Sequence, residues 1–178
     1  MIEVHIDSVR ISLMTQSRVV VLREVDSQRY LPIWIGAPEA DAITLRLQGI
    51  QVDRPLTHDL LFNTIRTLGA VVEYVVVTEL RNDIFYAEIV LEWNEEEVRI
   101  DSRPSDALAL AVRAEAPIYV EEEVMEEAGR VPEEGVAPNV IIDSSSSLEQ
   151  AEEDEEEDDL GAFADFIEGL DLDDLGAD

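Results

Sequence analysis

Val71-Val72-Glu73-Tyr74-Val75-Val76-Val77-Thr78-Glu79-Leu80 and Ile84-Phe85-Tyr86-Ala87-Glu88-Ile89-Val90-Leu91-Glu92-Trp93 flank the pair Asn82-Asp83. Val, Ile, Tyr and Phe suit a pleated, half-buried surface, and an Asn-Asp pair between two such runs supplies a tight turn. The stretch reads as a β-hairpin. A polar turn from Asn94 to Glu96 and a short strand at Val98-Arg99-Ile100 extend it.

Upstream, residues 2–13 alternate apolar and polar side chains, with a slip of phase near Ser8 that a bulge would absorb. Residues 18–25 and 29–35 form a second hairpin around Asp26-Ser27-Gln28. Pro38 then sits where a first helical turn tolerates proline, and Ala42, Ile43, Leu45 and Leu47 carry a helix to Gly49. A second helix has Thr57 as its N-cap, Leu60, Leu61, Ile65 and Leu68 as its buried face, and Gly69 just past its end. A third begins after Pro104 and runs through Ala107, Leu108, Leu110, Ala111 and Val112. Ile118-Tyr119-Val120 is a last short strand, followed by a short acidic helix over residues 121–128. Trp34, beside Ile33 and Ile35, is expected in the core. The mixture predicts one compact α+β domain of strands and hairpins with about three core helices, spanning residues 1–130.

Beyond Arg130 the composition changes. Residues 131–159 contain proline, glycine, four consecutive serines and an acidic run, which cannot bury enough apolar area to offset the entropy of ordering. A disordered acidic linker is expected there. Within residues 160–178, Leu160, Phe163, Phe166, Ile167 and Leu170 recur at helical spacing, so a short amphipathic helix that docks on its own domain or on a protein partner is expected.

The net charge of −30 would exclude most polyanion binders. Its distribution changes that reading, because residues 121–178 hold 23 of the 42 acids against a single base, Arg130. Every base is arginine, and there is no cysteine, so disulfides and thiolate chemistry are excluded. The first residues lack the basic and apolar regions of a signal peptide, and no apolar run nears the roughly 18 residues that span a bilayer. A cytoplasmic protein is expected.

Two polar clusters stand at helix starts. In Asp101-Ser102-Arg103-Pro104-Ser105-Asp106, two acids and an arginine fall within six residues. Carboxylates there suit a hard divalent cation, and an arginine can clamp a phosphate. The same residues also suit helix capping and an Arg103–Asp101 ion pair that fixes the turn. In Arg54-Pro55-Leu56-Thr57-His58-Asp59, the histidine suits a general base or metal ligand. It equally suits a solvated first turn, with Asp59 complementing the helix dipole. Glu39 and Asp41 are two residues apart, so at most one can point into a shared cleft.

Three blocks carry a resemblance. Leu31-Pro32-Ile33-Trp34-Ile35-Gly36 with Glu39-Ala40, Arg54 through Leu60, and Ile100 through Ala111 resemble the bifunctional nuclease family in order and spacing. Ala116-Pro117-Ile118-Tyr119-Val120 closes the domain as in relatives, and Phe163 to Leu170 resembles a C-terminal helix of some of them. The resemblance covers roughly residues 1–130. It implies a compact α+β domain that self-associates, as a homodimer or other homo-oligomer, and a nuclease acting on RNA or DNA. No catalytic set is carried over; the site that follows is inferred from the matched motifs. Asp101 and Asp106, with Glu39 or Asp59, would hold Mg²⁺ or Mn²⁺, and His58 would deprotonate the attacking water. Arg103 and Arg54, with Ser105, would contact the phosphate. The competing expectation is a non-catalytic binding or regulatory module whose acidic tail docks on a partner or on its own domain.

Overall fold

The computed structural model describes residues 1–12 and 17–131. They belong to the first of two units into which the chain divides, Met1–Val136 and Ala137–Asp178. The expected linker and terminal helix therefore lie outside the described residues, Val131 excepted.

Among the described residues, seven strands and four helices follow in the order β1 (Ile2–Ile11), β2 (Arg18–Glu24), β3 (Tyr30–Ile35), α1 (Ala37–Leu47), α2 (Thr57–Thr67), β4 (Val71–Arg81), β5 (Ile84–Trp93), β6 (Glu96–Ser102), α3 (Pro104–Ala114), β7 (Ile118–Val120) and α4 (Glu122–Ala128). The fold is α+β, as the sequence predicts. The strands form one sheet in the order β3-β2-β1-β7-β4-β5-β6. All neighbours are antiparallel except β4 and β7.

Local chemistry explains the joints. Asn82 and Asp83 both adopt positive φ (50° and 61°), the conformation a two-residue hairpin turn demands, and Asn94 and Glu95 repeat it between β5 and β6. The phase slip in β1 is a register shift between Ile6 and Ser8. Gly69, at φ 82°, follows the end of α2 in the left-handed region that a side chain disfavours.

Pairing separates the two faces of the sheet. Val20, Leu22, Leu31, Ile33, Val75, Val77, Ala87 and Ile89 face the helices and form the core with Ile43, Leu108, Leu110 and Met125. The crossover helix α3 is buried along almost its whole surface, from Pro104 to Arg113. A helix apolar on every side belongs inside a domain, and alanines 107, 109 and 111 let neighbours approach it closely.

Two expectations about burial are corrected. Of the face predicted for α2, only Ile65 is buried; Leu60 (63% exposed), Leu61 and Leu68 face outward. The helix instead turns His58, Phe62 and Ile65 inward, three positions on one stripe. Trp34 is half exposed, because it alternates with the core residues Ile33 and Ile35 and so points from the other face of β3.

Candidate active site

The first turns of three helices meet. Each carries an acid at its third position, Glu39 in α1, Asp59 in α2 and Asp106 in α3, where the unpaired N–H groups of a helix start favour negative charge. Pro104 opens α3 with its φ already helical, and Arg103 precedes it in extended backbone (φ −70°, ψ 144°). That placement turns the Arg103 side chain back across the helix start.

Arg103 binds both neighbouring acids. Its Nε donates to Asp106 Oδ2 at 2.7 Å, and its Nη2 donates to Asp106 Oδ1 at 3.1 Å and to Glu39 Oε1 at 2.7 Å. Nη1 makes no hydrogen bond with the described residues, and the side chain is 67% exposed. Gly36 keeps the space clear, since a Cβ there would run into the Glu39 carboxylate.

Asp106 also holds His58, with Nε2 and Oδ1 3.0 Å apart. Burial works to raise the Asp106 carboxyl, but the bonds from Arg103 and His58 and their charges outweigh it and hold the group below its ordinary value. A carboxylate only accepts, so His58 donates through Nε2–H. In the neutral imidazole this leaves the Nδ1 lone pair as a base, and among the described residues nothing hydrogen-bonds it. His58 itself is buried.

Asp59 turns the other way. Its Oδ2 accepts the Leu56 N–H at 2.8 Å, and its Oδ1 accepts Arg113 Nε at 2.6 Å. Arg113 Nη1 donates to the Ala109 carbonyl at 2.8 Å. Burial again acts to raise the Asp59 carboxyl, and the Leu56 N–H and the Arg113 guanidinium bring it below its ordinary value.

The fold thus brings together His58, Asp106, Arg103 and Glu39. Asp101 stands elsewhere: it pairs with Glu88 on β5, between Ile100 opposite Ile89 and Ser102 opposite Ala87. Ile89 and Ala87 face the core, so Asp101 projects from the sheet face away from α3. The Arg103–Asp101 pair is therefore not formed; Arg103 pairs with Asp106 and Glu39. Ser105 is buried in the first turn of α3. Arg54 is exposed before α2 and bonds to none of the described residues. Asp41 is exposed, leaving Glu39 as the one acid of that pair in the cluster.

No group of three His, Asp or Glu side chains among the described residues is arranged to share a cation. The donor set explains this, because a guanidinium already lies between Glu39 and Asp106, and Asp101 is on the far side of the sheet. As arranged, these carboxylates do not fit a bound divalent ion. No helix among the described residues is long and apolar enough to cross a membrane.

Sequence reasoning missed Arg113. Its signal was present: it is the one charge after Asp106 in Ala107-Leu108-Ala109-Leu110-Ala111-Val112-Arg113, a helix otherwise apolar, where a charge needs a buried partner.

Comparison with known proteins agrees with the resemblance. A protein of Mycobacterium tuberculosis (strain CDC 1551 / Oshkosh), named "Uncharacterized protein MT1877", is 38% identical over 176 residues, covering 98% of both chains. "Bifunctional nuclease 1" of Oryza sativa subsp. indica is 30% identical over 105 residues, 57% of this chain and 32% of that one. "Bifunctional nuclease 2" of Arabidopsis thaliana is 28% identical over 107 residues, 58% of this chain and 32% of its own. The family profile described as "Bifunctional nuclease domain" matches residues 20–133, most of the chain and all three helix starts, so this protein belongs to the bifunctional nuclease domain family.

Proposed function

We propose that this domain cleaves phosphodiester bonds of RNA or DNA at the meeting point of α1, α2 and α3. One observation carries the reading: the Asp106 carboxylate holds an imidazole on one side and an exposed guanidinium on the other. His58 takes the proton of the attacking oxygen at Nδ1 as that oxygen bonds to phosphorus. The P–O bond to the leaving oxygen breaks, and that oxygen takes a proton from the imidazolium or from solvent. Asp106 fixes the His58 tautomer and stabilises the imidazolium. Arg103 offers its free Nη1 and exposed edge to a phosphate oxygen as negative charge develops. Three helix starts meet there, and their positive dipole ends offset part of the repulsion between carboxylates and a phosphodiester. Arg54, unpaired nearby in sequence, extends the contact to a neighbouring phosphate.

The test is cleavage of labelled single-stranded RNA and DNA by the purified protein with Mg²⁺, Mn²⁺ or chelator, beside His58→Ala and Asp106→Asn. Cleavage is expected to fall about 10²–10⁴-fold in each variant. Undiminished cleavage by either folded variant would overturn this site. Binding without product, in all conditions, would favour the non-catalytic module.

A further inference from the structure

We infer that Arg113 and Asp59 are positioning residues that set the His58 imidazole against Asp106, an inference that rests on the reading of His58 and Asp106 as the catalytic pair. Asp106 and Arg113 lie seven residues apart on α3, two turns along nearly the same face, about 10 Å from each other. They reach consecutive residues of α2, Asp106 to His58 and Arg113 to Asp59. Neighbouring positions on a helix point about 100° apart. One rotation of the first turn of α2 therefore satisfies both contacts. With the Asp106 contact alone, only Phe62 and Ile65 further along α2 resist a roll of that turn, and the imidazole would move with it.

Three further features make this second contact rigid. The Arg113 side chain is only 4% exposed and bonds to its own helix at Ala109, so its guanidinium has one orientation. Asp59 uses its other oxygen on the Leu56 N–H, tying the chain that enters α2 to the same carboxylate. Leu60 and Leu61 face outward, so the apolar contact of α2 begins only at Phe62, beyond the first turn that carries His58 and Asp59. Arg113 spends its guanidinium on Asp59 and the Ala109 carbonyl, and Asp59 has both oxygens occupied. Neither is placed to do chemistry itself.

The experiment compares the full chain with Arg113→Met and with the double variant Asp59→Asn/Arg113→Met. The single variant strands a carboxylate and can fail to fold. The double variant removes both charges and keeps an amide oxygen for the Leu56 N–H. Folding is checked by circular dichroism, the His58 side chain by ¹⁵N-edited NMR, and turnover on single-stranded RNA as kcat and KM separately. In the folded double variant we expect the Nε2–H···Asp106 signal of His58 to broaden or vanish. We also expect kcat to fall about tenfold or more, with KM changed less than about twofold. A folded double variant with an intact His58 signal would overturn the positioning role even if the protein is a nuclease. If the parent chain shows no cleavage, the nuclease reading fails, and the His58 signal alone still decides whether the pair positions the ring.

Discussion

The two ends of α3 carry the same chemical pair in opposite settings. At its start Arg103 grips Asp106 and Glu39 with its side chain 67% exposed; near its end Arg113 grips Asp59 with 4% exposed. An exposed guanidinium exchanges partners at little cost, because water and salt already compete for it. A buried one cannot let go without leaving a charge uncompensated in a low-dielectric interior. Under the proposed function, the first suits a ligand that comes and goes, and the second a geometry that persists.

The sharpest way to break this contrast is truncation at the buried end. Arg113→Ala should destabilise the domain by about 3–5 kcal/mol in urea unfolding. A loss under about 1 kcal/mol would mean that the pair at this end behaves as a surface pair. Arg103→Ala removes an exposed side chain but leaves Glu39, 14% exposed, without its partner, so it should cost about 1–2 kcal/mol and lower cleavage about 10²-fold, which paired melts and kinetics would separate. Equal effects of the two substitutions on stability would abolish the distinction.

Acid titration sharpens it further. Asp59 and Asp106 both lie below their ordinary value when folded, so the folded state holds fewer protons than the unfolded one. Their contribution is complete above the ordinary carboxylate range and disappears as pH falls through the lowered values. Unfolding midpoints should therefore drop between about pH 5 and pH 2, and drop less steeply in Asp59→Asn. The smallest effect is expected beside the buried pair: Leu60→Ser, one residue after Asp59 and facing solvent, should change stability by no more than about 0.5 kcal/mol.

Hairpins, turns and the bulge were legible because each depends on neighbours in sequence. Asn82-Asp83 announces its turn, and Ser8 marks the slip in β1. The rotation of α2 was not legible. Hydropathy placed Leu60, Leu61 and Leu68 inside, whereas the first turn is held by polar contacts of His58 and Asp59 to residues about fifty positions away. Apolar periodicity gives such contacts no weight. The motif sets Asp101 beside Asp106 only if β6 ends at Ile100; the strand continues to Ser102, and one further residue of alternation turns Asp101 to the other face. All four residues that meet, His58, Asp106, Arg103 and Glu39, lie in the motifs the sequence displays. Their meeting in space is a property of the fold that no spacing within the chain states.

The three residues of β7 have a consequence for how the protein is made. Ile2–Val4 of β1 pair with one edge of β7, and Val75–Val77 of β4 with the other, so among the described residues β7 is the one strand joining the two three-stranded halves of the sheet. During synthesis both halves emerge from the ribosome before residue 118, each with an open edge that can pair with a neighbouring chain. Closure then waits on contacts between residues more than a hundred positions apart, the kind of long-range pairing that slows folding. A chain released before Val120 would carry both strand-forming halves and lack the strand that joins them, which makes early termination a route to aggregation and the late arrival of β7 the step a chaperone would guard.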